Sequence, residues 1–171
     1  MAFDKLVQPL RNLPLFQGLS AFQLTEIARR AERIVFKPGD VLIASDTPAE
    51  SAVIIVSGEA RRIDGPDLAA AEVLPVGALL GEMGMLIETV HSSTVIAVTS
   101  VRALRIQRSE MLEQMMDDTA LAQHFVGRIT ERLHDIADEM RAIDQGLEEA
   151  LAANGPASSQ ARSGEITSQL H

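Results

Sequence analysis

Beyond Phe36 the chain breaks into short aliphatic and β-branched runs, each closed off by Gly, Pro, Ser or Asp, and this punctuation constrains the fold more than any other feature. The runs fall at residues 41–44, 52–56, 60–63, 71–74, 94–98 and 101–106. Lys37-Pro38-Gly39-Asp40 opens the series. Ser57-Gly58-Glu59, Asp64-Gly65-Pro66 and Pro75-Val76-Gly77 read as tight connections. Strands spaced at such turn-marked intervals are those of barrels and rolls.

Helical patterns flank this region. Leu10, Leu13, Leu15, Phe16, Leu19, Phe22, Leu24 and Ile27 cluster ahead of it, and Ser20 is placed to cap a helix over 21–32. After it, Ser109 is the expected cap of a short helix ending near Met116, and Asp118 that of a long helix over 119–149. In the long helix Val126, Ile129, Leu133, Ile136, Met140, Ile143 and Leu147 follow alternating steps of three and four, the seam of a coiled coil. The alternative is a stripe that packs only on its own domain. A seam kept in register over this length predicts a homodimer. Glu139 and Asp144 would then be a like-charge pair across a parallel dimer, so the far end is expected to splay or be capped. The expected divisions are 1–118 for the N-terminal helices and roll, 119–150 for the long helix, and 151–171 for a flexible tail rich in Ser, Gly, Ala and Gln.

Charge and composition narrow the function classes. A formal net charge of −9 repels phosphate backbones, so direct binding to nucleic acid is not expected. Aromatic residues are 3% of the chain, which rules out a base-stacking surface. There is no Cys, hence no disulfide, thiolate chemistry or Cys-ligated metal, and a cytoplasmic setting is the default. No apolar run approaches the roughly 20 residues that span a bilayer, so no membrane association is expected and the protein is expected to be soluble and uncleaved.

Leu80-Gly81-Glu82-Met83-Gly84 followed by Val90-His91-Ser92-Ser93-Thr94 carries the chemistry. A Gly-Glu pair entering a short helix offers backbone N–H groups to an anion and a carboxylate to sugar hydroxyls, with a basic and hydroxyl-bearing turn just beyond. Together with Leu15-Phe16-Gln17-Gly18-Leu19-Ser20, Lys37-Pro38-Gly39-Asp40, Ile54-Ile55-Val56-Ser57-Gly58, Leu74-Pro75-Val76-Gly77 and the long final helix, this order of landmarks resembles the cyclic-nucleotide-binding domain family, in particular the sensor half of catabolite-activator-like proteins. The resemblance covers about residues 10 to 148. It implies a mainly β fold with flanking helices, a double-stranded β-helix or jelly roll, and a long C-terminal dimerisation helix.

What the resemblance implies about the site is a ligand-binding set of Gly81, Glu82, Met83, His91, Ser92 and Ser93, with Gly81 and Glu82 on the ribose. His91 falls where the family has an arginine for the cyclic phosphate. A histidine lacks the permanent charge and planar fork of a guanidinium, so affinity should fall by about 2 kcal/mol. Ile136 and Ala137 fall where the catabolite-activator branch has hydroxyls against the base. Asp46 fills a turn position usually held by Gly, which Asp tolerates.

These observations leave two readings. One is a stand-alone regulatory sensor that binds cAMP, cGMP or a related small anion with weakened phosphate recognition. The other is a degenerate, non-binding roll acting as a dimeric adaptor for a protein partner. Catalysis is not expected, since His124, His134 and His171 show no metal-ligand spacing and no catalytic or metal residue stands out. Too few residues follow the long helix for a DNA-binding domain of the kind relatives carry.

Overall fold

The computed structural model describes residues 4–63 and 71–154; the expected Asp64-Gly65-Pro66 connection, His171 and nearly all of the expected tail lie outside these. The helices are α1 (Asp4–Arg11), α2 (Ala21–Arg30), α3 (Arg108–Asp117) and α4 (Thr119–Ala153). The strands are β1 (Glu32–Phe36), β2 (Val41–Ile43), β3 (Pro48–Ala49), β4 (Ser51–Ser57), β5 (Ala60–Ile63), β6 (Glu72–Leu74), β7 (Leu79–Leu80), β8 (Thr89–Val90), β9 (Thr94–Ala97) and β10 (Val101–Gln107). All pair antiparallel, in the orders β1-β10-β4-β7 and β2-β9-β5-β6, with β3-β8 as a separate small ladder. The expected roll with flanking helices and a long final helix is what the chain forms.

Two apolar cores share the first of these sheets. Ala103, Ile55 and Val53 face the roll interior with Phe36, Leu42, Leu80, Val95 and Val101. From the other face of the same strands, Leu104, Ile106, Ile54 and Ala52 pack under the helices with Leu10, Phe16, Leu24, Ile27, Met111, Leu121 and Phe125. The strict alternation of strand side chains makes this possible. Phe16 meets Phe125 edge to face with ring centroids 6.0 Å apart, so two of the chain's few aromatic residues close the helical core.

The expected strand runs lie within a residue or two of the observed ones. The helix at 21–32 instead stops at Arg30, because Ile34 and Val35 favour extended backbone and Ile34 and Phe36 must point into the roll. Helix α1 had no expected bounds, and strands β1, β3, β7 and β8 were not expected. Pro9 hides the first, and two-residue strands have no period to read. Ser20 caps α2 in a full capping box with Gln23. Ser109 does not cap α3. That helix starts at Arg108, whose backbone N–H already bonds Glu50 O at 2.9 Å, and Gln107 at the cap position gives no side-chain bond.

Asp118 does cap α4, its Oδ1 accepting from Leu121 N at 3.0 Å while Oδ2 accepts from Gln23 Nε2 at 2.8 Å. Up to Thr130 the chain forms one compact unit, and from Glu131 a second, so the boundary between these units falls inside α4. Leu121 and Phe125 are buried, and Ile129 packs beside them. Leu133, Met140, Ile143 and Leu147 are all more than half exposed, which leaves the expected seam open along the second unit.

The Gln23 amide, and after it the Leu121 N–H, hold the Asp118 carboxyl below its ordinary value of 3.8. A depressed carboxyl adds stability above its unfolded pKa and loses it as pH falls through the folded value. Asp118→Asn keeps the cap but not the charge. Its melting temperature should lie below that of the wild type at neutral pH, with the gap closing between about pH 4 and pH 2 in a pH series of thermal melts.

Candidate functional site

The Gly-Glu segment adopts a shape that only its glycines allow. Gly81 is left-handed at φ 63° and ψ 35° and leads into a 3-10 turn over Glu82–Met85. A Cβ on Gly81 would sit 2.8 Å from His91 Cε1 and 3.2 Å from Ser51 O, so the residue is required both for its dihedrals and for the close approach of the imidazole. Gly84 presses on β3 in the same way, a Cβ there falling 2.7 Å from Ala49 Cβ.

Arg108 locks this turn in place. Its Nη1 donates to Ala49 O and Ile87 O at 3.0 Å each and to Gly84 O at 3.4 Å, joining β3 to the turn and to the residues just after it. The sequence reading passed over Arg108, because a cation just after a strand reads as solvated surface. Its signal was position: it follows directly on the last inward-facing residue of β10.

The loop that carries His91 is tied to the loop before β3. Asp46 N donates to His91 O at 2.8 Å, His91 N to Thr47 O at 2.9 Å, and Ser45 N to Thr94 Oγ1 at 3.0 Å. Asp46 has φ 59°, the positive value expected for that turn. Strands β3 and β8 close the latch through Pro48 opposite Val90 and Ala49 opposite Thr89.

Beside these loops opens a cleft of about 290 Å³, at the lower end of the range for small-ligand sites. Leu42, Ile43 and Val53 form its apolar side, Ser51, His91, Arg105 and Gln107 its polar side, and the exposed Pro48 and Glu50 also line it. Of the six candidate residues, His91 alone lines the cleft. Gly81 meets it through His91 and Ser51. Glu82 and Met83 are half-buried on the turn, Ser93 is buried and Ser92 exposed. Among the described residues, neither the Glu82 carboxylate nor the His91 ring has a hydrogen-bond or ion-pair partner. Burial lowers the His91 pKa below its ordinary 6.5, so the ring is neutral near pH 7.

Register explains why Arg105 and Gln107 reach the cleft. Arg105 lies opposite Val53 on β4 and Glu32 on β1, two residues along from Ala103, which lies opposite Ile55 and Ile34 and faces the roll. Cross-strand partners share a face. The inner face of β10 thus runs from apolar at Val101 and Ala103 to polar at Arg105 and Gln107.

The other histidines are placed elsewhere. His124 Nε2 meets Leu15 O at 2.8 Å and ties the start of α4 to the segment before α2, and His134 is exposed on the second unit. Ile136 also lies on that unit, 39% exposed.

With this geometry in hand, the family can be stated: the model of the cyclic nucleotide-binding domain matches residues 33–118, and the chain belongs to that family. A cAMP-dependent protein kinase regulatory subunit from Colletotrichum orbiculare is 27% identical over 100 residues, 58% of this chain and 26% of that protein. The chain therefore spans about a quarter of the length of such a relative. Among solved structures, a cyclic nucleotide-binding-like protein from Brucella abortus is 27% identical with a TM-score of 0.60, covering 67% of this chain and 100% of that one. The N-terminal domain of a transcriptional regulator from Streptomyces coelicolor has a TM-score of 0.66 at 20% identity, over 76% of this chain and 95% of that one, and it supports the fold. No helix among the described residues is long and apolar enough to cross a membrane.

Replacing Arg108 by Met keeps much of the stem and removes three charge-assisted bonds to carbonyls. The loss should be about 2–3 kcal/mol in urea denaturation, with faster hydrogen exchange in the turn at residues 82–87 than in β4 or β10.

Proposed function

We propose that the roll binds a cyclic nucleotide such as cAMP or cGMP, or a related small anion, around Gly81, Glu82, Met83, His91, Ser92 and Ser93, and that the chain is a non-enzymatic regulatory module. One observation supports the reading: within the family-matched segment, the left-handed Gly81 leads into the turn that carries the unpartnered Glu82 carboxylate and lies against the unpartnered His91 imidazole, which lines a ligand-sized cleft. Glu82 is suited to accept from ribose hydroxyls, and Ser92 and Ser93 to donate to phosphate oxygens.

Phosphate recognition on this reading differs from that of a guanidinium site. The imidazole is neutral at pH 7 and gains its charge only when an anion draws a proton onto it. Acid therefore favours the complex. Regulation would follow if the ligand prefers one arrangement of roll and α4 over another, since only differential affinity shifts a population. The setting proposed is cytoplasmic.

Calorimetric titration with cAMP and cGMP tests this. Binding should strengthen from about pH 8 to pH 6, by no more than tenfold per unit for one coupled proton, and Glu82→Ala should abolish most of it. No heat with either nucleotide at millimolar concentration would remove the sensor reading. Failure there would favour the adaptor reading, which has its own support in the exposed apolar stripe of α4. A protein partner held as tightly by Glu82→Ala as by the wild type would establish that alternative.

The homodimer is proposed on the same stripe, whose Leu133, Met140, Ile143 and Leu147 stand open at heptad spacing. Sedimentation equilibrium should give a dimer for the wild type and a monomer for the double variant Leu133→Asp, Met140→Asp. A monomeric wild type would refute the seam.

A further inference from the structure

The cleft contains a permanent cation outside the Gly81–Ser93 segment. Arg105 lines it from β10, whereas His91 lines it from the loop between β8 and β9, and Ser51 and Gln107 line it as well. The parity of the strand puts it there. Val101 and Ala103 fill the roll interior, and the next inward position is an arginine at the point where the apolar filling stops.

Its own partner is a weak one. Glu32 Oε2 lies 3.5 Å from Arg105 Nη1 and also accepts from Gln107 Nε2 at 3.4 Å, so the carboxylate is shared between two long contacts. The Arg105 side chain is 34% exposed, and an ion pair of this length and exposure adds little. A guanidinium has five N–H donors, and one long contact leaves most of them to a ligand. Arg108, three residues further on, by contrast donates through Nη1 to three backbone carbonyls. The charged and titratable groups lining the cleft are His91, Glu50 and Arg105, with Glu32 beside the last.

We infer that Arg105 is the guanidinium that holds the anionic group of the ligand, so that the phosphate-binding charge of this roll comes from β10 and not from the loop at residue 91. This rests on the reading that the roll binds an anionic ligand, and it changes which residue sets the affinity. The planar fork of Arg105 suits two oxygens of a phosphate, with Gln107 and Ser51 able to donate to a third. His91 then adds a hydrogen bond at neutral pH and a charge only in acid.

The test uses the full chain at about pH 8, where an imidazole is neutral and a guanidinium is not. Inorganic phosphate and cAMP are titrated separately while the arginine Nε–H signals are followed by NMR. The Arg105 signal should move and saturate. Arg105→Gln should bind about ten- to a hundredfold more weakly, and Glu32→Gln, which frees the guanidinium, up to about fivefold more tightly. His91→Gln should change affinity by less than about threefold at this pH.

An Arg105 signal that neither probe moves overturns the inference, as does Arg105→Gln that melts and binds like the wild type. Should that variant fail to fold, the wild-type signal and Glu32→Gln decide. Phosphate bound through Arg105 without any cAMP binding would sustain the inference and remove cyclic nucleotides as the ligand. Binding of cAMP that leaves Arg105 unmoved would do the reverse.

Discussion

Strand β10 is the member on which the rest of this structure depends. It pairs with β1 on one side and β4 on the other, and each of its faces belongs to a different core. Leu104 and Ile106 hold the helices, while Val101 and Ala103 fill the roll. A one-residue slip would exchange the two sets and turn Arg105 towards the apolar core under the helices. The register with β4 shifts between Arg102 and Ala103, where Val56 is the extra residue, while the pairing with β1 and the alternation of β10 continue unbroken.

The candidate site is assembled against that strand by backbone-level constraints. Gly81 admits the His91 ring, Gly84 admits β3, and Arg108, at the end of β10, gathers three carbonyls. The result is a cleft whose walls are held by latches, not by a packed interior. Charge-assisted bonds to carbonyls suit that task, because they fix backbone without filling the space a ligand would take. His91, which lines the cleft, and Glu82, on the neighbouring turn, are not otherwise engaged: neither side chain has a partner among the described residues.

Much of the architecture was legible in the sequence because its signals are local. Ser20 with Gln23, Asp118 ahead of α4, Asp46 in its turn and the glycine-bounded runs each declare their conformation through their own chemistry. What could not be read depends on pairing. Strands of two residues such as β3, β7 and β8 exist only because a neighbour bonds to them, and β1 is missing from the expected strands because its inward residues are known only from register. The site followed the same division. Gly81, Glu82 and His91 stand out as a motif, whereas Arg105 and Arg108 sit in a strand that serves both cores and just beyond its end, and nothing in their immediate sequence marks them.

The family match gives the domain and the geometry a cleft of ligand size, which is proposed to be an anion site. A crystal structure grown with cAMP tests the claim most directly. The account predicts density for the nucleotide in the cleft, its phosphate against Arg105 and His91 and its ribose at Gly81 and Glu82. A cleft holding only solvent, or one closed by Leu42 and Val53, would contradict it.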